Sequence, residues 1–347
     1  MIAKIRTQSQ QLINPQFNNP KDLVTWMGAV QAQDYAMSKW AVGIRLSSST
    51  LGDVDKALLK GEILRTHVMR PTWHMVAAED IRWMLKLCEK RQKAAIESWG
   101  RNFGLTKTFY AKGRRLLEKM LKGESNLTKQ EVEEGLNVRG MQVDKPQTSC
   151  ILMLAEVEGI ICSGIDKGRK HTYALLDERA PVTKNLHKEE ALAELALRFF
   201  RSHSPASIQD FIWWSSLSAT EVKQAIGLIQ QDLIFEKFGE QDYILHKSWA
   251  QITEPDSILH FLPSYDEYLI SYKNRTAVLD LKDHPKAFNN YGIFQPVIMF
   301  NGDIVGNWKK TVKKGLVAIE TSFFKHKGKV LKKQIKEAEE RYRSFLS

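Results

Sequence analysis

The sequence predicts a mainly α protein with β-hairpins, an α+β fold of three tandem winged-helix units followed by a small C-terminal β-rich unit and a terminal helix. Three observations predict it. The order helix, helix, helix, hairpin can be read three times, which is the pattern of the winged helix, a helix-turn-helix relative. Capping signatures open several of the helices. Beyond Trp249 the composition shifts towards aromatic and strand-forming residues. The expected divisions are 1–100, with a linking helix, 101–182, 183–250 and 251–347.

The elements follow in order. Asn19-Pro20, a good cap and first-turn proline, opens a helix over Lys21 to Val30 with Leu23, Met27 and Val30 at helical spacing. Met37 to Leu46 and Leu51 to Leu59 are two further helical pieces. Ile63 to Val76 changes character and reads as two β-segments turned near Met69-Arg70-Pro71. Ala78 to Trp99 is a longer helix. The second copy comprises Thr108 to Leu121, a helix opened by Thr128 with Glu131 completing a capping box, Gln147 to Val157, and a hairpin of Ile160 to Ser163 with His171 to Leu176. The third comprises Glu189 to Arg201, Ser207 to Trp214, Val222 to Leu233 behind a Ser218/Glu221 capping box, and a hairpin of Ile234 to Phe238 with Tyr243 to His246. Gly292 to Asn307 and Leu316 to Phe324 then read as strands. Leu331 to Phe345 closes the chain as a basic amphipathic helix whose apolar side, Leu331, Ile335, Ala338, Tyr342 and Phe345, suits docking on protein.

Composition narrows the function classes. The formal charge is +11, and Trp308 to Ser347 holds twelve Lys/Arg against four Glu, so +8 of the excess lies there. Such a tail favours a polyanion as partner. Cys88, Cys150 and Cys162 have no Cys-x-x-Cys spacing, which argues against a disulfide framework or zinc site. The start of the chain is polar and no 18-residue apolar run occurs, so a cytoplasmic protein without membrane contact is expected. GxxxxGK[ST], GxGxxG, HExxH and GxSxG are all missing, as is the H-x-E with distal P-C-x-x-C of zinc deaminases. No metal or cofactor is expected.

What remains is Gln31-Ala32-Gln33-Asp34. Residues two apart point to opposite sides of a helix but to the same side of extended chain, so the two amides converge only if the helix ends near Gln31. Converging, they can hold one water by accepting and donating hydrogen bonds while staying uncharged at any pH. An amide is a poor base. The pair therefore suits a reaction whose leaving group departs readily and that needs a positioned water.

Gln31-Ala32-Gln33-Asp34, then Trp40-Ala41-Val42-Gly43-Ile44-Arg45, then Arg70-Pro71-Thr72-Trp73-His74-Met75-Val76 with Glu79-Asp80, then Leu262-Pro263-Ser264-Tyr265-Asp266-Glu267-Tyr268 through Arg275 together resemble the AlkZ-like family of bacterial winged-helix DNA glycosylases. The likeness spans nearly the whole chain. It implies three winged helices and a β unit around a DNA channel, with Gln31 and Gln33 positioning the water that attacks the deoxyribose carbon. Some enzymes of this family unhook interstrand crosslinks. A related branch has an acidic residue as the second member of the pair; Gln33 puts this chain nearer the AlkZ branch. Pro71, where family members often carry glycine, is a departure that bears on the local turn.

The expected function is thus a monofunctional DNA glycosylase acting as a monomer, without cofactor, on cationic alkylpurines or crosslinks in double-stranded DNA. Gln31 and Gln33 are the candidate catalytic residues. Asp34 or Asp266 could stabilise an oxocarbenium-like sugar by charge, although Asp34 equally suits a helix cap and Asp266 an ion pair with Arg275. Thr72 and His74 alternate on a strand and could face the motif, with a packed structural histidine as the plainer reading. Arg65, Arg70, Arg275, Lys309, Lys310, Lys313 and Lys314 are candidate backbone contacts, against solvated or acid-paired side chains. Trp73, Trp83, Trp213 and Trp214 suit the core better than base stacking. The rival function is a winged-helix regulator or architectural protein whose glutamines are structural.

Overall fold

The computed structural model of the chain describes residues 1–70, 72–123, 125–168, 170–180, 185–249, 257–313, 316–324 and 332–347. Pro71, Lys314 and Leu331, all singled out above, lie outside the described residues. The fold is α+β, helical with small antiparallel sheets. By packing, the chain forms two compact units: Ala57–Ala191, and a discontinuous one made of Met1–Lys56 with Leu192–Ser347. The divisions expected from the sequence follow element order along the chain, whereas these units follow which residues pack together.

The discontinuous unit begins with α1 (Ile2–Ser9), which its polar sequence did not announce. Arg6, Thr7, Ser9 and Gln10 are fully buried there. Some of their polar groups are met by chain far away in sequence: Arg6 Nε donates to the Pro205 carbonyl at 3.1 Å, and Ser9 Oγ to that of Ser204 at 2.8 Å. Helix α2 (Pro20–Met27) starts as expected, the Asn19 side chain accepting from the Asp22 amide at 2.9 Å. It stops three residues short of Val30 because Gly28 turns the chain at φ 77°. That conformation is open to glycine and strained for a side chain. β1 (Val30–Gln31), α3 (Tyr35–Gly43) and α4 (Leu51–Leu59) follow.

The contiguous unit carries the hairpin β2 (Ile63–Val68) and β3 (Thr72–Ala77), paired from Ile63 with Ala77 to Val68 with Thr72. After it come α5 (Ile81–Gly100), α6 (Lys107–Leu121), β4 (Leu127–Thr128), α7 (Lys129–Val138), α8 (Lys145–Val157), β5 (Ile161–Ser163), β6 (Thr172–Leu175) and α9 (Leu176–Arg179). The Thr128/Glu131 capping box is formed. β4, β6 and β5 make an antiparallel sheet in that order. Leu117, Leu121, Val132, Leu136, Cys150 and Ile161 form its fully buried core.

The chain then re-enters the discontinuous unit through α10 (Lys188–His203), α11 (Ile208–Ser215) and α12 (Ala219–Leu228), with the Ser218/Glu221 box formed. α12 ends at Leu228 rather than Leu233, its last residues passing into a 3-10 turn over Gln230–Asp232. β7 (Leu233–Phe238) and β8 (Gln241–His246) are the third hairpin. Beyond it β9 (Leu259–Leu262), the short helices α13 (Glu267–Ile270) and α14 (His284–Ala287), β10 (Val297–Phe300), β11 (Asp303–Lys313) and β12 (Leu316–Phe323) precede α15 (Lys332–Leu346). The four strands form an antiparallel sheet in the order β12-β11-β10-β9. As expected, the apolar side of α15 docks on protein: Tyr342 and Phe345 meet the Trp40 ring at 5.1 and 5.0 Å, and Tyr342 also meets Trp308.

In all three copies a short extended segment stands just before the second helix. It is β4 in the second, Ala206, bridged to Ile244 of β8, in the third, and β1 in the first. The glutamine motif thus begins at a position that the repeat keeps extended. Among the described residues, no helix is long and apolar enough to cross a membrane.

Burial makes the discontinuous unit sensitive to acid. His260 is 1% exposed on β9, its Nε2 donating to the Leu12 carbonyl at 2.7 Å. Burial, then the Arg341 charge, pushes its pKa down to about 3. Unfolded, it takes up a proton near pH 6.5, so between these values the unfolded chain binds more protons and stability falls as pH falls. Chemical denaturation from pH 7 to pH 4 should give a His260→Gln variant a shallower loss than wild type, by up to about 1.4 kcal/mol per pH unit.

Candidate active site

The site is built outward from the turn between α2 and α3. Because α2 ends at Met27, Gln31 lies in extended chain, the condition for its amide and that of Gln33 to share a side. Their exposure differs: Gln31 is buried and Gln33 exposed, with the chain bending at Gln33-Asp34. Ala32 between them is fully buried and allows no larger side chain without displacing its neighbours.

Asp34 is a helix cap. Its Oδ1 accepts from the Met37 amide at 3.1 Å, and its Oδ2 accepts from Ser264 Oγ at 2.9 Å. Such caps contribute about 1 kcal/mol, and here the cap also fixes the exit of the glutamine segment. The Asp34 charge is felt by its surroundings, opposing the downward push that burial gives Lys310 and adding to the upward push on the Tyr265 and Tyr342 phenols. Lys310 donates to Tyr342 Oη at 2.6 Å. The exposed glutamine is therefore followed directly by an acid with a half-buried lysine and two tyrosines in its field.

Beneath the motif lies a feature that local sequence patterns do not display. Glu267, 0% exposed at the head of α13, accepts the Gln31 backbone N–H on Oε1 at 2.5 Å. Its Oε2 accepts from Trp214 Nε1 at 3.3 Å and, in a very short contact, from Ser271 Oγ. Neighbouring Asp266 is equally buried and chelates Arg45 with both oxygens, at 2.9 and 2.7 Å, while capping α13 through the Tyr268 amide. Arg45 also donates to Gln10 Oε1 at 3.0 Å. Tyr265 holds the left-handed region at φ 57°, an uncommon conformation for such a residue, between Ser264 on Asp34 and Asp266 on Arg45.

Several expectations need correction. Asp266 pairs with Arg45, not Arg275. Arg275 is buried, donates to the Leu269 carbonyl at 2.7 Å, and lies over the Phe288 and Phe294 rings at 4.7 and 5.0 Å. Arg65 is buried in the contiguous unit with its guanidinium 4.0 Å from the Trp73 centroid. Both arginines, expected on the surface as phosphate contacts, keep their charge in the interior, where aromatic faces favour it. In that unit His74 is fully buried, its Nδ1 2.9 Å from the Thr72 carbonyl on the same strand, as the plainer structural reading had it. Arg70 is half-buried at the hairpin turn. Lys309 is exposed and pairs with Glu320 of the adjacent strand at 2.8 Å. Lys313 ends β11. Trp83 and Trp214 are core residues, and Trp73 and Trp213 are half-buried.

Comparison with known proteins agrees with this architecture. The chain belongs to the AlkZ-like DNA glycosylase family: the family model "DNA glycosylase AlkZ-like" matches residues 24–345, which include the glutamine motif and both buried acids. It is a DNA N-glycosylase, a repair enzyme whose substrate is DNA. Among solved structures, the Streptomyces sahachiroi DNA glycosylase AlkZ superposes with a TM-score of 0.82 over 99% of this chain and 95% of that one. At 19% identity this is a likeness of fold. No curated protein matches.

The Arg45–Asp266 pair provides a test of how the scaffold is held. Removing one partner of a buried, bidentate pair leaves an uncompensated charge. Asp266→Ala should lower unfolding free energy by about 3 to 5 kcal/mol, read by urea denaturation. A change under about 1 kcal/mol would mean the pair behaves as a solvated one.

Proposed function

We propose that this glycosylase hydrolyses the N-glycosidic bond of purines made cationic by N7 or N3 alkylation, with Gln31 and Gln33 holding the attacking water. Interstrand crosslinks built on such purines are the bulky members of the same substrate class. The observation that carries the reading is the position of the motif: it lies outside any helix, is followed by Asp34 as the cap of α3, and has its backbone tied to Glu267.

The chemistry matches the side chains. An alkylated purine already bears the positive charge that protonation would otherwise supply, so departure of the base needs no general acid. What remains is to place water against the anomeric carbon and to tolerate an oxocarbenium-like sugar. Carboxamides can do the first by donating from nitrogen and accepting at oxygen. Asp34, close to Gln33 in the chain and partly exposed, can serve the second through its negative charge. Its engagement with Ser264 and the α3 amide keeps that charge in a fixed place. Lys309 and Lys310 of β11 and Arg70 supply sequence-independent attraction for the phosphate backbone.

Release of 7-methylguanine from methylated duplex, and unhooking of a nitrogen-mustard crosslink, should be seen with wild type. Gln31→Ala and Gln33→Ala should each lower the single-turnover rate by about 100-fold with DNA affinity unchanged. DNA binding without release of any alkylated base by wild type would defeat the substrate assignment. If both variants lost binding or folding too, the glutamines would be structural.

Backbone contacts have a separate readout in salt. The slope of log Kd against log salt concentration should fall by about one for each phosphate contact removed. Lys309→Gln and Arg70→Gln are each expected to show that decrease on methylated and unmethylated duplex alike; an unchanged slope removes the residue from the interface.

A further inference from the structure

We propose that Glu267 is a positioning residue for the water-holding motif, fixing through the Gln31 backbone amide where the Gln31 side chain stands. The proposal rests on the reading of Gln31 just given and adds a residue that does not itself touch DNA.

A carboxylate with no exposure is costly, and where stability alone is at stake an apolar residue of similar size does as well or better. Glu267 is surrounded by directed donors from three separate elements. The Gln31 N–H comes from β1, the Trp214 indole N–H from α11, and the Ser271 hydroxyl from the turn of chain after α13. Two of the three point at Oε2, and the Gln31 N–H points at Oε1. The carboxylate is thus held on one side and offered on the other. His203 Nε2 is 3.7 Å from Oε2, and burial pushes the pKa of that imidazole down while Glu267 pulls it up. It stacks on Phe199 at 4.9 Å and its Nδ1 meets Ser202 Oγ, so its ring closes the far wall of the carboxylate site.

The receiving end has reason to need such an anchor. β1 is two residues long and lies between Gly28, in a left-handed turn, and the bend at Gln33-Asp34. In a segment so short, each group that grips it bears on its direction. Asp34 grips the exit and Glu267 grips the motif itself. Charge-assisted hydrogen bonds are stronger than neutral ones, and a carboxylate accepting the Gln31 N–H makes one of that kind. A rotation of the Gln31 peptide would carry its side chain away from the water position, and misplacement of about 1 Å is enough to cost roughly 100-fold in rate.

The test uses the full chain labelled with nitrogen-15 at glutamine, the Gln31 resonance being identified by its loss in Gln31→Ala. Glu267→Gln keeps the shape but replaces the charged acceptor with an amide, which must donate where Trp214 or Gln31 already donates. The single-turnover rate of 7-methylguanine release should fall roughly 10- to 100-fold, Kd for the same DNA should stay within about twofold, and the Gln31 amide proton should move upfield. An unmoved Gln31 amide overturns the proposal, as does a moved amide with wild-type rate. Should Glu267→Gln fail to fold, Ser271→Ala decides. It deletes a single hydroxyl at Oε2 and should slow release by about threefold or more with unchanged Kd, and a wild-type rate overturns the proposal. Absence of release by wild type would defeat the substrate assignment instead, and the Gln31 amide shift would still tell whether the carboxylate holds the motif.

Discussion

Two adjacent acids without solvent, Asp266 and Glu267, are the constraint on which the discontinuous unit depends. Neither can be tolerated in the interior unless every oxygen is met by a donor. The donors are spread from residue 31 to residue 271: Arg45, itself donating to Gln10, satisfies Asp266, while Gln31, Trp214 and Ser271 satisfy Glu267. Segments separated by more than 200 residues are thereby tied at one point. The same contacts that make a unit out of two lengths of chain also orient the turn that carries the glutamines.

This arrangement separates the holding of the site from its chemistry. Groups with formal charge are buried and paired beneath the turn, while Gln33, which is exposed, is neutral. Arg65 and Arg275 follow the same rule, with guanidinium groups against aromatic rings in the interior. A surface rich in lysine can then attract DNA without any of those cations being needed to shape the site. For a substrate that is itself cationic at the reacting base, a neutral pair of amides with an acid close behind is electrostatically the compatible choice.

Much of the fold was legible because its signals are local. Capping boxes at Thr128 and Ser218, the cap at Asn19, and the strand-forming residues and turn of the β2–β3 hairpin each depend on residues within a few positions. Local reasoning also singled out the motif, since two glutamines two positions apart share a side only in extended chain, although it carried the preceding helix through Gly28 to Val30. It failed where burial overrides composition. α1 is polar in sequence yet buried, because its side chains bond to chain near residue 204. Nearness in sequence offers Arg275 as one partner for Asp266, whereas the bidentate pair is made by Arg45, 221 residues away. Glu267 escaped notice as a support for the same reason: 236 residues lie between it and Gln31. The family resemblance does span these blocks, but it speaks for Gln31 and Gln33 and not for the residues that hold them.

The insertion of Ala57–Ala191 into the other unit has a consequence for biosynthesis. A ribosome releases Gln31 early, then the whole contiguous unit, and Glu267 only some 236 residues after the glutamine it braces. The contiguous unit can form as soon as it has emerged, since its core is drawn from Ile96 to Tyr173. The first 56 residues must wait, with the polar side chains of α1 still hydrated. Completion of the Gln31–Gln33 turn is therefore among the last events of folding, and nascent chains that stop before α13 carry the motif without the carboxylate that accepts its backbone N–H.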